Sequence, residues 1–151
     1  MQIENQSHEL QVKFADSDID LARCFSVMVQ LRSHLTQPEF VSRVKRQQQS
    51  GYFLVYLEQE GSIKALAGFR LLEMLAHGKI LYVDDLITDA EERSKGYGGA
   101  LFDWLVNYAK AQNCDAVQLD SGVQRTEAHR FYFSKRMHIS SFHFYLQLEQ
   151  N

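Results

Sequence analysis

The segment Arg93-Ser94-Lys95-Gly96-Tyr97-Gly98-Gly99 does most to limit what this chain can fold into. It follows Lys79–Thr88, a run rich in β-formers, and a polar acidic turn, Asp89–Glu92. After it, Leu101, Trp104, Leu105, Tyr108 and Ala109 recur at helical spacing, so a helix should open at the glycines and end near Asn113. A strand, a glycine-rich turn and a helix are thus expected in series. Glycines there let the backbone bend tightly and approach a ligand closely. The first free N–H groups of the helix, with its dipole, make an anion site, and Arg93 and Lys95 add positive charge. A phosphate or pyrophosphate fits this chemistry. No Gly-Lys-Ser/Thr follows a first glycine at Walker spacing, and the dinucleotide Gly-x-Gly-x-x-Gly spacing is absent as well. Taken alone, the turn is also consistent with a plain helix cap carrying surface charges.

The rest of the chain supplies a sheet for that turn. Leu10, Val12 and Phe14 alternate as a first strand. Asp16, Ser17 and Asp18 can cap a helix carrying Ile19, Ala22, Phe25, Met28, Val29 and Leu31. Thr36-Gln37-Pro38-Glu39 reads as a capping box ahead of a second helix with Phe40, Val41 and Val44, stopping near Gly51. Tyr52–Glu58 and Lys64–Leu72, joined at Glu60-Gly61, suggest a hairpin. Ala116–Asp120 is a short strand, Thr126–Lys135 a short helix, and Phe142, Phe144, Leu146 and Leu148 alternate in a last strand. Antiparallel strands followed by a strand–helix–strand step imply an α/β fold with a mixed sheet covered by helices. At 151 residues the chain is expected to be a single domain, 1–151.

Arg93-x-x-Gly96-x-Gly98 resembles the acetyl-CoA pyrophosphate loop of the GNAT N-acetyltransferases, whose pattern is Arg/Gln-x-x-Gly-x-Gly/Ala. The resemblance extends over about Tyr52–Leu148 and includes a second motif, Ala128-His129-Arg130-Phe131-Tyr132, at the separation the family shows. It implies a mixed, mostly antiparallel sheet with helices on both faces and a splayed central strand pair. It also implies acetyl-CoA as acyl-donor cosubstrate, without a metal. The loop residues Arg93, Ser94, Lys95, Gly96, Tyr97, Gly98 and Gly99 would hold the diphosphate. The backbone of Leu86, Ile87 and Thr88 would pair with the pantetheine arm, with Ala116–Asp120 as the other wall. Four positions depart from the family pattern. Ser94 and Arg136-Met137 stand where glycine and Gly-Phe are frequent, and Arg125 stands where asparagine is frequent.

Acetyl transfer needs a neutral amine, a polarised thioester carbonyl and a donor for the departing thiolate. An amine of pKa ~10.4 is protonated at neutral pH, so a group must take its proton. By resemblance Tyr132 is the general acid toward sulfur; otherwise it is a core aromatic beside Phe131. Asp84 and Asp85 are two carboxylates inside an apolar strand, where consecutive side chains should point to opposite faces. Tyr82-Val83-Asp84-Asp85-Leu86 is similar to the matching strand of diamine and polyamine N-acetyltransferases. Asp84 would there bind the amine and relay its proton through water, and Asp85 would share in substrate binding. The alternative is a salt bridge to a neighbouring arginine such as Arg70. Met28, Gln30, Arg32 and His34 are candidates to line the acceptor cleft, and His129 is either a contact to the acceptor or a surface histidine.

The expected activity is therefore N-acetylation of a primary amine on a small molecule, polyamine-like or amino-acid-like. The alternatives are acetylation of a protein lysine or N-terminus, or a non-catalytic acyl-CoA-binding regulatory module. A net charge of -3 argues against a dedicated nucleic-acid partner. No apolar run approaches the ~18 residues of a membrane span. No secretory signal is visible, and Cys24 and Cys114 match no metal spacing, so a cytoplasmic protein with reduced thiols is expected. The family resemblance admits a homodimer, with Phe142, Phe144 and Tyr145 at the contact.

Overall fold

The computed structural model describes residues 10–150. By contact they divide into two compact units, Met1–Gln118 and Leu119–Asn151. The first carries β1 (Gln11–Phe14), α1 (Asp18–Leu31), α2 (Gln37–Gln48), β2 (Tyr52–Gln59), β3 (Ser62–Met74) and β4 (Gly78–Thr88). A 3-10 turn (Ala90–Glu92) and α3 (Tyr97–Ala111) follow, and β5 (Ala116–Leu119) runs to the boundary. The second unit carries α4 (Thr126–Ser134).

Local chemistry sets these elements. The Ser17 side chain accepts from the Asp20 N–H at the start of α1. Thr36 and Glu39 close a capping box on α2, with proline in its first turn. Each cap satisfies helix N–H groups that would otherwise lack a partner. Glu60 and Gly61 both adopt positive φ, 54° and 77°, and Gln59 pairs directly with Ser62. That is a two-residue turn whose twist matches its strands, so it fixes the hairpin register.

The sheet order is β1-β2-β3-β4-β5. The β1–β2, β2–β3 and β3–β4 pairs are antiparallel. β5 reaches the edge beside β4 only after the α3 crossover, which makes the sheet mixed. Alternation along β2 divides the core. Tyr52, Leu54 and Tyr56 join Leu21, Cys24, Val27 and Met28 of α1 and Phe40 and Val44 of α2. Phe53 faces the other way and stacks on Phe69 at 5.3 Å. Trp104 and Tyr108 of α3, stacked at 5.1 Å, close on Phe69 and Phe14. Full burial of each such side chain stabilises by ~1.5–3 kcal/mol, so both faces anchor their helices firmly. No helix among the described residues is long and apolar enough to cross a membrane.

One expected element is missing. Residues 139–150 form no strand, and Phe142, Phe144, Tyr145, Leu146 and Leu148 are each more than 70% exposed. An alternating apolar pattern becomes a strand only when a neighbouring strand satisfies its backbone, and among the described residues no strand pairs with this segment.

Candidate active site

The two aspartates of β4 stand where the sheet register slips. Gly68 pairs with Asp85 and Phe69 with Val83, so Asp84 is an extra residue on β4, a β-bulge. Simple alternation predicts that Asp84 and Asp85 face opposite ways. The bulge overturns this: both line a single cavity of about 430 Å³ between the sheet and the first two helices.

Both carboxylates are held by arginines. Arg70 Nε donates to Asp84 Oδ2 at 2.9 Å and to Oδ1 at 3.2 Å, and its Nη2 donates to Gln47 of α2 at 2.8 Å. For Asp84, the salt bridge to Arg70 weighed above is what the structure shows. Arg32, the residue that ends α1, donates from Nε to Asp85 Oδ1 and from Nη2 to the Asp84 carbonyl, each at 2.9 Å. The Tyr52 hydroxyl donates to Asp85 Oδ2 at 2.7 Å, and Arg70 lies over the Tyr52 ring. Burial pushes the Asp84 carboxyl above its ordinary pKa, although the Arg70 bond and charge pull it down. Burial and the neighbouring Asp85 charge push the Tyr52 phenol well up, so it remains a donor.

Of the four residues expected in the cleft, Met28, Arg32 and His34 line the cavity. Gln30 does not; it bonds Asp89 and the Ala90 N–H, tying α1 to the loop after β4. Sequence reasoning missed Phe40, Arg43, Val44 and Gln47, which reach the cavity from α2. Their spacing at three, four and seven residues along one helix was the available signal. Tyr52 and Tyr82 were missed as well.

The glycine turn begins beyond the end of β4. Gly96 caps α3 in the left-handed region, φ 87°, with no side-chain hydrogen bond to the helix start. A Cβ at Gly96 would meet nothing within 4 Å, whereas one at Gly98 would lie 2.9 Å from Thr88 Oγ1. The first turn of α3 therefore sits against the end of β4, with N–H groups that no side-chain cap satisfies. Such a helix start suits a diphosphate, and the open side of Gly96 leaves room for one. The flanking charges are less free than the sequence suggests. Lys95 is tied to Glu92 at 2.7 Å, and Glu92 also takes the buried Lys64 at 2.9 Å. Tyr97 is fixed through a 2.7 Å bond from its hydroxyl to Gln59. Leu86, Ile87 and Thr88 form the last residues of β4, paired with Ala67, Leu66 and Ala65.

Tyr132 lies on α4 in the second unit, with the Phe131 ring 5.6 Å away. Burial raises its phenol pKa, and Arg125 opposes the shift. His129 Nε2 lies 2.8 Å from the Gly122 carbonyl, a local bond within the unit. The Ser121 hydroxyl is buried without a hydrogen-bond partner among the described residues.

Residues 20–138 match the model of the Acetyltransferase (GNAT) family. The chain is 34% identical over 127 residues to the uncharacterized N-acetyltransferase YhdJ of Bacillus subtilis (strain 168), covering 83% of this chain and 89% of that protein. Its fold is similar to that of a GNAT family acetyltransferase from Staphylococcus aureus, at TM-score 0.77 and 20% identity, over 92% of this chain and 98% of that one. It is also similar to glucosamine-6-phosphate N-acetyltransferase from Arabidopsis thaliana, at TM-score 0.73 and 22% identity, over 93% and 99% of the two chains. A transcriptional regulator from Bacillus halodurans shares the fold too, at TM-score 0.79 and 19% identity, over 93% and 100%. With the family model spanning most of its length and a relative of this identity, the chain belongs to the GNAT family and is a GNAT-type N-acetyltransferase.

Proposed function

We propose that this enzyme moves an acetyl group from acetyl-CoA directly to a primary amine of a small molecule. One observation supports the reading: a single strand, β4, runs from the cavity to the start of α3. Its bulge holds Asp84 and Asp85 in the cavity, and its end at Thr88 packs against Gly98 at the uncapped start of α3.

In this reading the N–H groups of Tyr97, Gly98 and Gly99 donate to the diphosphate, with Arg93 and the Ser94–Gly96 turn beside it. The backbone of Leu86, Ile87 and Thr88 pairs with the pantetheine arm. The amine enters the cavity and binds at Asp84, which takes its proton through water. The raised pKa of Asp84 suits that task, because a base acts best when its pKa approaches the working pH. Asp85 is engaged by Arg32 and Tyr52 and holds the bulge in shape. The amine then attacks the thioester carbonyl, and the thiolate leaves with the Tyr132 hydroxyl as its hydrogen-bond donor. The raised phenol pKa keeps that proton in place at neutral pH. Cytoplasmic residence and a homodimer belong to the same reading, with a second copy covering the exposed apolar segment 139–148. Sedimentation showing a monomer at micromolar concentration would remove the dimer from it.

The test is release of the CoA thiol from acetyl-CoA across a panel of small primary amines, peptides and aminoglycosides. Turnover on small amines is expected. Preference for a peptide would replace the acceptor class, and acetyl-CoA binding without turnover on any member would leave a regulatory module.

A further inference from the structure

The charges around the cavity do not balance. Three arginines, Arg32, Arg43 and Arg70, line it against two aspartates, Asp84 and Asp85, with His34 at the exposed rim. Arg70 is committed to Asp84 and Arg32 to Asp85, both at 2.9 Å. These two pairs cancel. Arg43 makes no hydrogen bond or ion pair among the described residues. The nearest acid on its own helix, Glu39, feels the Arg43 charge, but its carboxylate accepts from the Thr36 N–H at 3.0 Å to close the capping box. Counting the lining side chains alone, one positive charge is left over, on the exposed Arg43 guanidinium, which the Glu39 carboxylate attracts without forming an ion pair among the described residues.

The expectation of a polyamine-like acceptor drew on the paired aspartates of a strand similar to that of the diamine and polyamine N-acetyltransferases, and each of these aspartates is paired with an arginine. A second ammonium on the acceptor would enter a cavity of net positive charge, which costs affinity. A carboxylate or phosphate would meet a guanidinium whose planar fork matches it with two parallel hydrogen bonds. The cavity volume of about 430 Å³ lies within the ~300–1,000 Å³ typical of small-molecule sites. Phe40 and Val44, on the same helix as Arg43, give it an apolar wall.

We propose that the acceptor is an anionic amine, a molecule carrying a carboxylate or phosphate as well as its primary amine, and that Arg43 receives the anionic group while the amine faces Asp84. This rests on the reading of the cavity as the acceptor site. It adds a specificity-determining residue on α2, away from the groups that carry the chemistry.

The test uses amines of matched size: γ-aminobutyrate, O-phosphoethanolamine, butylamine and putrescine. With the wild-type enzyme, kcat/KM should be about 10-fold higher for an anionic amine than for butylamine, and lowest for putrescine, as one charge-assisted contact implies. The better of the two anionic amines tells carboxylate from phosphate. In Arg43→Glu, the ratio of anionic amine to putrescine should fall by about 100-fold, because an attraction becomes a repulsion. Arg43→Gln should fall between, and a circular dichroism melt confirms that each variant folds. Putrescine preferred by the wild type, or ratios unmoved in Arg43→Glu, would overturn the proposal. Calorimetric titration of the same amines onto the acetyl-CoA-free protein reads the charge preference without turnover. If no amine is acetylated but γ-aminobutyrate or O-phosphoethanolamine binds and is lost in Arg43→Glu, the catalytic reading fails while the anionic subsite stands. If neither anionic amine binds, the subsite is overturned.

Discussion

The phenol of Tyr52 reaches across Gly68 to donate to Asp85 at 2.7 Å. A Cβ at position 68 would lie 1.8 Å from the Tyr52 oxygen and 2.6 Å from Asp85 Oδ2. The missing side chain is thus what lets the phenol and the carboxylate meet beside the bulge, where Gly68 pairs with Asp85. Gly68→Ala should force Tyr52 aside and cost about 1–3 kcal/mol, the usual penalty for overpacking a filled interior. Urea denaturation measures this. A change within a few tenths of a kcal/mol would mean that the phenol is not confined there.

Asp84 is the base in the proposed reaction, and its pH behaviour follows from its surroundings. Burial is the largest influence and raises its pKa; the Arg70 hydrogen bond and charge oppose this. A carboxylate that must be ionised to take a proton loses activity as pH falls through its pKa. The acidic limb of kcat/KM should therefore lie above the ~3.9 of a free aspartate. Arg70→Gln removes the stabilising charge, so the limb should move to higher pH. Asp84→Asn should abolish the limb and cut amine turnover about 100-fold, within the range of general-base catalysis. An unchanged limb in Arg70→Gln would assign it to another group.

Most of the framework was legible in the sequence, and the reason is local. Helix caps at Ser17 and Thr36, the Glu60-Gly61 turn and the 3.6-residue spacing of Leu101–Ala109 each act within a few residues. What escaped depends on partners far along the chain. The bulge at Asp84 exists only relative to Gly68 and Phe69 on β3, so alternation alone sent Asp84 and Asp85 to opposite faces. The pairing of each aspartate with its arginine spans 14 residues for Arg70 and 53 for Arg32. The alternating apolar run near the C-terminus met a different limit. The pattern of Phe142, Phe144, Leu146 and Leu148 describes a strand that needs a neighbour, and the structure leaves these side chains exposed.

At the glycine turn, two substitutions act by different routes. Gly96 holds φ at 87° with open space around it, so Gly96→Val suffers backbone strain and fills the space assigned to the diphosphate. Gly98→Val instead meets Thr88, whose Oγ1 would already lie 2.9 Å from a first carbon. Both should weaken acetyl-CoA binding at least ~10-fold, read by calorimetry with a melt to confirm folding. Wild-type affinity in both variants would place the diphosphate elsewhere.

Tyr132 makes a sharper separation between binding and chemistry. A hydroxyl that serves only the leaving sulfur contributes little until the thioester breaks. Tyr132→Phe should lower kcat by ~100-fold or more while acetyl-CoA affinity changes less than ~3-fold. Equal losses in both would make Tyr132 a cofactor contact, and no loss in kcat would remove it from the reaction.

Two left-handed residues mark where this chain departs from its family. Ser94 adopts φ 65° in the turn before α3, and Arg136 adopts φ 64° just after α4; both stand where the family frequently has glycine. At Arg136 the reason is visible. The Met137 N–H donates to the Tyr132 carbonyl at 3.1 Å and the Arg136 N–H to Phe133 at 3.0 Å. That pair of bonds ends a helix through a left-handed residue, the position glycine favours. A side chain there costs roughly 1–2 kcal/mol, part of which glycine returns by its greater freedom in the unfolded chain. Arg136→Gly and Ser94→Gly should therefore each stabilise the fold by up to about 1 kcal/mol, and together add nearly independently, because the sites share no hydrogen bond. Thermal melts of the two single variants and the double variant test this, and a lower melting temperature in Arg136→Gly would show that the arginine side chain contributes more than its backbone strain costs.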